Sequence, residues 1–208
     1  MSRAMRKKPK MVLDVDSIES LKRAVLNALA SVYENDYFLI EKCCHELTVV
    51  AAFFRAFCEQ NQIANEQIKV DMEYSRMGES LEAKPAPPNE HGKKHMRIDF
   101  VIHQRGNQHN NKLAIEFKSG NSKKDIDWDY EKLKSVTSHV ADPHQVRNYG
   151  LGLSLQYDEQ SVVLVAFVDG VERSEERYLW NSKKKGFTPH DVKEIEHRDI
   201  VSFKKVSD

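Results

Sequence analysis

The chain has 208 residues, 40% of them hydrophobic and 31% charged, with 32 basic and 32 acidic side chains. That length suits one domain with appendages, and the composition supplies a core beneath a charged surface. A formal net charge of zero excludes a polycation that grips nucleic acid anywhere, so any such site must be a local patch, and no segment is apolar for long enough to span a bilayer.

The chain opens with "MSRAMRKKPK", which carries five basic residues and no acidic one. It lacks the apolar run of a signal peptide, so residues 1–15 read as a solvated basic tail. Asp16 and Glu19 stand at capping-box spacing. Ile18, Leu21, Val25, Leu29 and Val32 then recur at helical spacing, until Asn35 and Asp36 interrupt. A second helix is expected over 38–60, with Cys43, Leu47, Val50, Phe54 and Phe57 as its apolar stripe. All three cysteines, Cys43, Cys44 and Cys58, fall on it. An odd count without a CxxC points to reduced thiols in a cytoplasmic protein.

"IKVDMEYSR" alternates Ile68, Val70, Met72 and Tyr74 with Lys69, Asp71, Glu73 and Ser75, the pattern of a strand with one wet face. Residues 77–95, rich in proline and without periodicity, read as a mobile loop. Strands over 96–103 and 112–118, joined by the polar turn "QRGNQHNN", form an antiparallel hairpin. A helix over 125–140 turns Ile126, Tyr130, Leu133 and Val136 or Thr137 inward. Lys123, Lys124 and Lys134, interleaved with Asp125, Asp127, Asp129 and Glu131, describe its solvated face. "YGLGLSLQY" and "SVVLVAFVDG" are two more strands, the second apolar enough to be central. In "TPHDVKEIEH", Thr188 as N-cap, Pro189 at the first helical position and Asp191 predict a short helix. The expected class is an α/β sandwich: residues 16–180 form a mixed sheet flanked by helices, with an extra N-terminal helix, and residues 181–208 form a C-terminal extension.

The hairpin carries the chemistry. Alternation puts Asp99 on the face of Arg97, Val101 and His103, and puts Glu116 with Lys118 and Ala114. Paired as expected, Asp99 and Glu116 lie side by side. Two close carboxylates repel unless a cation sits between them. All-oxygen ligation with room for water suits Mg²⁺ or Mn²⁺. Lys118 adds an ammonium at the same spot, an arrangement suited to phosphodiester hydrolysis. Glu/Asp-x-Lys occurs three times, at Glu82, Glu116 and Asp191, and only the middle copy stands on a strand behind an aspartate-bearing partner. The competing reading is an exposed edge hairpin whose charges simply meet water. His91 and His95, four apart in a loop, form a weaker pair. Lys183–Lys185 make a basic spot, and no helix-turn-helix or zinc module supplies base readout.

The order helix, strand, "RIDFVI", turn, "AIEFKSG", helix, strand resembles the PD-(D/E)XK nuclease superfamily, with its restriction-endonuclease-like fold, and is similar to small prokaryotic and phage proteins of that fold over about residues 39–168. The resemblance implies Mg²⁺- or Mn²⁺-dependent cleavage of DNA without an organic cofactor. Asp99 and Glu116 would be the metal carboxylates, the Phe117 backbone carbonyl a further ligand, and Lys118 the catalytic lysine. Glu46, in "CCHELTVV", would be the acidic residue of the preceding helix. Ile98 stands where the motif has proline, but it points away from the site. "QVRNY" matches the Q-x-x-x-Y signature of exonuclease branches, which makes Gln145, Arg147 and Tyr149 candidates for DNA contact, although Tyr149 runs straight into a strand. Arg76 and Lys123 are further candidates for phosphate contact. A homodimer would ease cutting of both strands. The alternative reading is an inactive domain of this fold that binds nucleic acid or a protein.

Overall fold

A computed structural model describes residues 10–77, 81–87, 95–107, 110–120, 123–138 and 148–194. In chain order its elements are β1 (Met11–Leu13), α1 (Ile18–Asn35), α2 (Phe38–Glu41), α3 (Glu46–Gln60), β2 (Asn61–Ile63), β3 (Ile68–Tyr74), β4 (Arg76–Met77), β5 (Glu82–Ala83), β6 (Ile98–Gln104), β7 (Asn111–Ser119), α4 (Lys123–Thr137), β8 (Tyr149–Tyr157), β9 (Ser161–Val168), β10 (Val171–Asn181) and β11 (Gly186–Glu194).

Seven strands form one mixed sheet in the order β11-β10-β9-β8-β7-β6-β3. Every neighbouring pair is antiparallel except β7 and β8, which run parallel because α4 carries the chain across between them. The helices cover both faces. On one, Phe53 and Phe57 of α3 meet Phe100 and Phe117 of the sheet edge-on, at centroid distances of 4.9–5.1 Å. The buried apolar residues of α1 join the same core. On the other face, Leu133 and Val136 of α4 pack with Val101, Ala114, Val165 and Phe167. A mixed sheet flanked by helices is thus what the chain forms, an α/β class of architecture.

The structure corrects several expectations. Ser17, not Asp16, caps α1, its hydroxyl accepting the Ser20 N–H at 3.2 Å. The expected helix over 38–60 is broken: Cys43 takes a positive φ of 47°, and His45 caps a fresh helix through the Leu47 N–H. The three cysteines therefore do not share a helix. The inward stripe moves to Val49, Val50, Phe53, Ala56 and Phe57, leaving Leu47 42% exposed. Met11–Leu13, placed in the basic tail by sequence, pairs in parallel with Asn61–Ile63. The short helix expected from Thr188 is instead β11, with Thr188 opposite Leu179 and Pro189 opposite Tyr178. Capping signals over so few residues cannot outweigh a ladder along β10 from Ser174 to Asn181, since a short helix has little stability of its own. The boundary drawn at residue 180 falls inside β10, and the sheet continues to Glu194. The described part of the loop 77–95 contains the β4–β5 pair and a bridge between Pro85 and His95.

Candidate active site

The expected hairpin is present. Phe100 pairs with Ile115, Val101 with Ala114 and Ile102 with Leu113. Continued by one step, that register sets Asp99 opposite Glu116. The ladder, however, stops at Phe100. Beyond it the Asp99 carboxylate takes the place of a backbone acceptor, receiving the Phe117 N–H at 2.8 Å. The strands splay where the acidic side chains begin, and this one bond fixes Asp99 against β7.

Asp99, Glu116 and Lys118 all face α4. Glu116 is 2% exposed, between Ala114 and the parallel neighbour Ser154, itself 1% exposed. Lys118 sits across from Gln156, whose amide donates to the Tyr130 hydroxyl at 2.9 Å. Glu46 arrives from the other side of the sheet. Because His45 restarts the helix, Glu46 occupies the first turn of α3 and reaches over the end of β7. Its Oε2 lies 3.4 Å from the Lys118 Nζ and accepts the Ser119 N–H at 3.4 Å. Four of the residues singled out by sequence therefore do come together.

Two members were missed. Asp129 and Lys132 of α4 point into the site: Lys132 Nζ is 2.5 Å from Glu116 Oε2 and 2.9 Å from Asp129 Oδ1, and Lys118 Nζ is 3.8 Å from Asp129 Oδ2. Asp129 is 5% exposed, so it does not belong to the solvated face where sequence reasoning placed it. The signal was present in the helical phase. Asp129 precedes the buried Leu133 by four residues, and Lys132 precedes the buried Val136 by four, so both lie on the inward stripe.

The electrostatics follow from burial. Removal from water raises Asp99 from the usual 3.8 to about 6. The Phe117 N–H and Lys132 oppose the rise, while Glu46 and Asp129 add to it. Glu116 is pushed well upward, again first by burial and then by Asp99 and Asp129, with Lys132 pulling it down. Lys132 is raised, as Glu116 and Asp129 outweigh its own desolvation. Among the described residues, four carboxyl groups (Glu46, Asp99, Glu116, Asp129) thus meet two ammonium groups (Lys118, Lys132), two fewer cations than acids. Glu116 Oε1 and Asp129 Oδ2 are buried and accept no hydrogen bond among the described residues.

Those oxygen donors suit a hard divalent cation: the acids outnumber the ammonium groups, and Glu116 Oε1 accepts no hydrogen bond among the described residues. Among the described residues no group of three or more His, Cys, Asp or Glu is arranged as a ligand cluster. Such an ion would depend on Asp99, Glu116, a backbone carbonyl such as that of Phe117, and water, in keeping with the sparing use of protein ligands by Mg²⁺.

Asp99 also opens onto a cleft of about 500 Å³ lined by Arg76, His95, Arg97, Trp128 and Lys132. Arg97 pairs with Glu73 at 3.1 Å, and Glu73 holds a positive φ of 55° at the position opposite Asp99, which the β3–β6 ladder leaves unpaired between Met72–Phe100 and Tyr74–Ile98. Of the candidate DNA contacts, Arg76 lines this cleft. Tyr149 does not: it is 1% exposed, and its hydroxyl accepts a hydrogen bond from Lys84 at 3.1 Å. Gln145, Arg147 and His91 lie outside the described residues, as does the side chain of Lys123 at the start of α4.

Comparison with protein-family models, with curated proteins and with solved structures yields no match to this chain. No helix among the described residues is long and apolar enough to cross a membrane.

Proposed function

We propose that the protein is a metal-dependent nuclease of the restriction-endonuclease-like type, hydrolysing DNA phosphodiester bonds. The observation that carries the reading is the convergence of the part-buried Asp99, Lys118 and Glu46 on the buried Glu116 where the β6–β7 ladder ends, three carboxyl groups to one ammonium, with Glu116 Oε1 accepting no hydrogen bond among the described residues. Asp99, Glu116 and the Phe117 carbonyl would hold Mg²⁺ or Mn²⁺. A divalent ion so held would polarise a phosphoryl oxygen and acidify a bound water. Lys118, kept in place by Glu46, orients the attacking water and offsets charge growing on phosphorus. Arg76 and Arg97 in the adjoining cleft would position the DNA backbone without reading sequence.

The test is incubation of wild type and Lys118→Ala with linear, circular and branched DNA in Mg²⁺ or Mn²⁺. Cleavage by wild type and loss of at least a hundredfold in the variant is the expected result, the size typical of a lost transition-state contact. Equal cleavage by both would remove the lysine from the chemistry. A second reading, an inactive domain that binds nucleic acid or protein, is favoured by the ion pair of Lys132 with Glu116, which already covers one carboxylate oxygen. DNA binding without cleavage in either metal, and without uptake of metal, would establish it.

A further inference from the structure

We propose that Lys132 is a resident counter-cation, displaced when a divalent ion enters the site. The inference rests on the nuclease reading for the ion itself and adds a regulatory step that the reading does not contain.

Lys132 touches one oxygen of each of two buried carboxylates, Glu116 Oε2 and Asp129 Oδ1, and leaves the other oxygen of each without a hydrogen bond. Among the described residues, Lys132 and Lys118 are the ammonium groups paired with these four acids. A divalent ion on Glu116 would supply the missing charge and would stand against the ammonium, because two cations cannot share one buried carboxylate at low cost. Lys132 has somewhere to go, since it also lines the cleft beside Asp99, Arg76 and Arg97. Released there, its ammonium faces the space in which an anionic backbone would lie. The metal-competent state is then only part of the population in the free protein. The apparent metal affinity is lowered by that fraction, and a polyanion in the cleft raises it reciprocally.

Calorimetry with Mn²⁺ on wild type and Lys132→Met tests the competition. The full chain is used, with acetic anhydride labelling of Lys132 in the wild type read by mass spectrometry with and without Mn²⁺. The expected results are Mn²⁺ binding at least tenfold tighter in Lys132→Met, and labelling of Lys132 that rises severalfold when the wild type is saturated with Mn²⁺ but not in Asp99→Asn. Equal or weaker binding in Lys132→Met, or labelling indifferent to Mn²⁺, would overturn the displacement while leaving the nuclease reading standing. Absence of Mn²⁺ uptake by both proteins would overturn the two together. If Lys132→Met does not fold without metal, its recovery in Mn²⁺ supports the competition, and the wild-type labelling decides it independently.

Discussion

Asp99 is the side chain on which the site's energetics are most exposed to measurement. Its carboxyl is raised to about 6, so the folded protein binds that proton more tightly than the unfolded chain does. In a chelator, its stabilising contribution is therefore fully present below about pH 4 and is lost as pH rises through about 6. The change from 3.8 to about 6 corresponds to on the order of 2–3 kcal/mol. Asp99→Asn keeps an oxygen to accept the Phe117 N–H but carries no charge. Denaturant unfolding in a chelator should find this variant more stable than wild type by about 1–3 kcal/mol at pH 8 and indistinguishable from it near pH 4. A variant less stable than wild type across that whole range would mean that the Asp99 charge is compensated by protein groups alone, leaving no role for an ion. Asp99, Glu116 and Lys118 were legible because charges on a strand otherwise bound for the core stand out against its period of two. Asp129 and Lys132 were not, because on a helix with many charges an inward Asp or Lys looks like its solvated neighbours until the phase is followed from Leu133 and Val136.

The helix that delivers those two residues is seated by Gly152. A Cβ there would meet Thr137 Cγ2 at 3.0 Å and Leu133 Cδ2 at 3.3 Å, so the close approach of α4 to β8 depends on the missing side chain. Thr137 adds a second tie, its hydroxyl donating to the Leu133 carbonyl at 2.8 Å and accepting the Gly170 N–H at 3.2 Å. Gly152→Ala should cost about 1–3 kcal/mol by overpacking, measured as a fall in denaturant midpoint. Unchanged stability would show that α4 is held elsewhere. Which elements were legible follows from where their signal lies. The strands β3, β6, β7, β8 and β9 and the helices α1 and α4 carry their own periodicity, and all were expected. The break at Cys43 was not, since its apolar pattern reads through; it arises from a single residue at positive φ. β11 was read as a helix because its local signals are those of a helix start, while the pairing that wins lies on β10, a strand sequence reasoning did not recognise.

The molecule as a whole places one unusual feature in an otherwise conventional mixed sheet. Helices α1 and α3 cover one face, the second with three phenylalanines, and α4 covers the other beside the place where the β6–β7 ladder ends. At that opening the protein concentrates its buried charge, next to a cleft lined by Arg76, Arg97 and Trp128. With a net charge of zero, the DNA binding proposed above would rest on local basic groups, so it should fall with salt in proportion to the few phosphates contacted rather than steeply. The α/β architecture was readable in outline from sequence, and so was the approach of Asp99 to the strand that carries Glu116 and Lys118; the competing picture of an exposed hairpin fails on the 2% exposure of Glu116. What the sequence reading missed is a second ammonium in the site, that of Lys132, already paired with Glu116. The most direct check of the central claim is a crystal of the wild-type protein soaked in Mn²⁺, with the anomalous difference density calculated. The account predicts a peak within coordination distance of both Asp99 and Glu116. Density with no peak at those carboxylates, at a Mn²⁺ concentration that supports any cleavage observed, would contradict it.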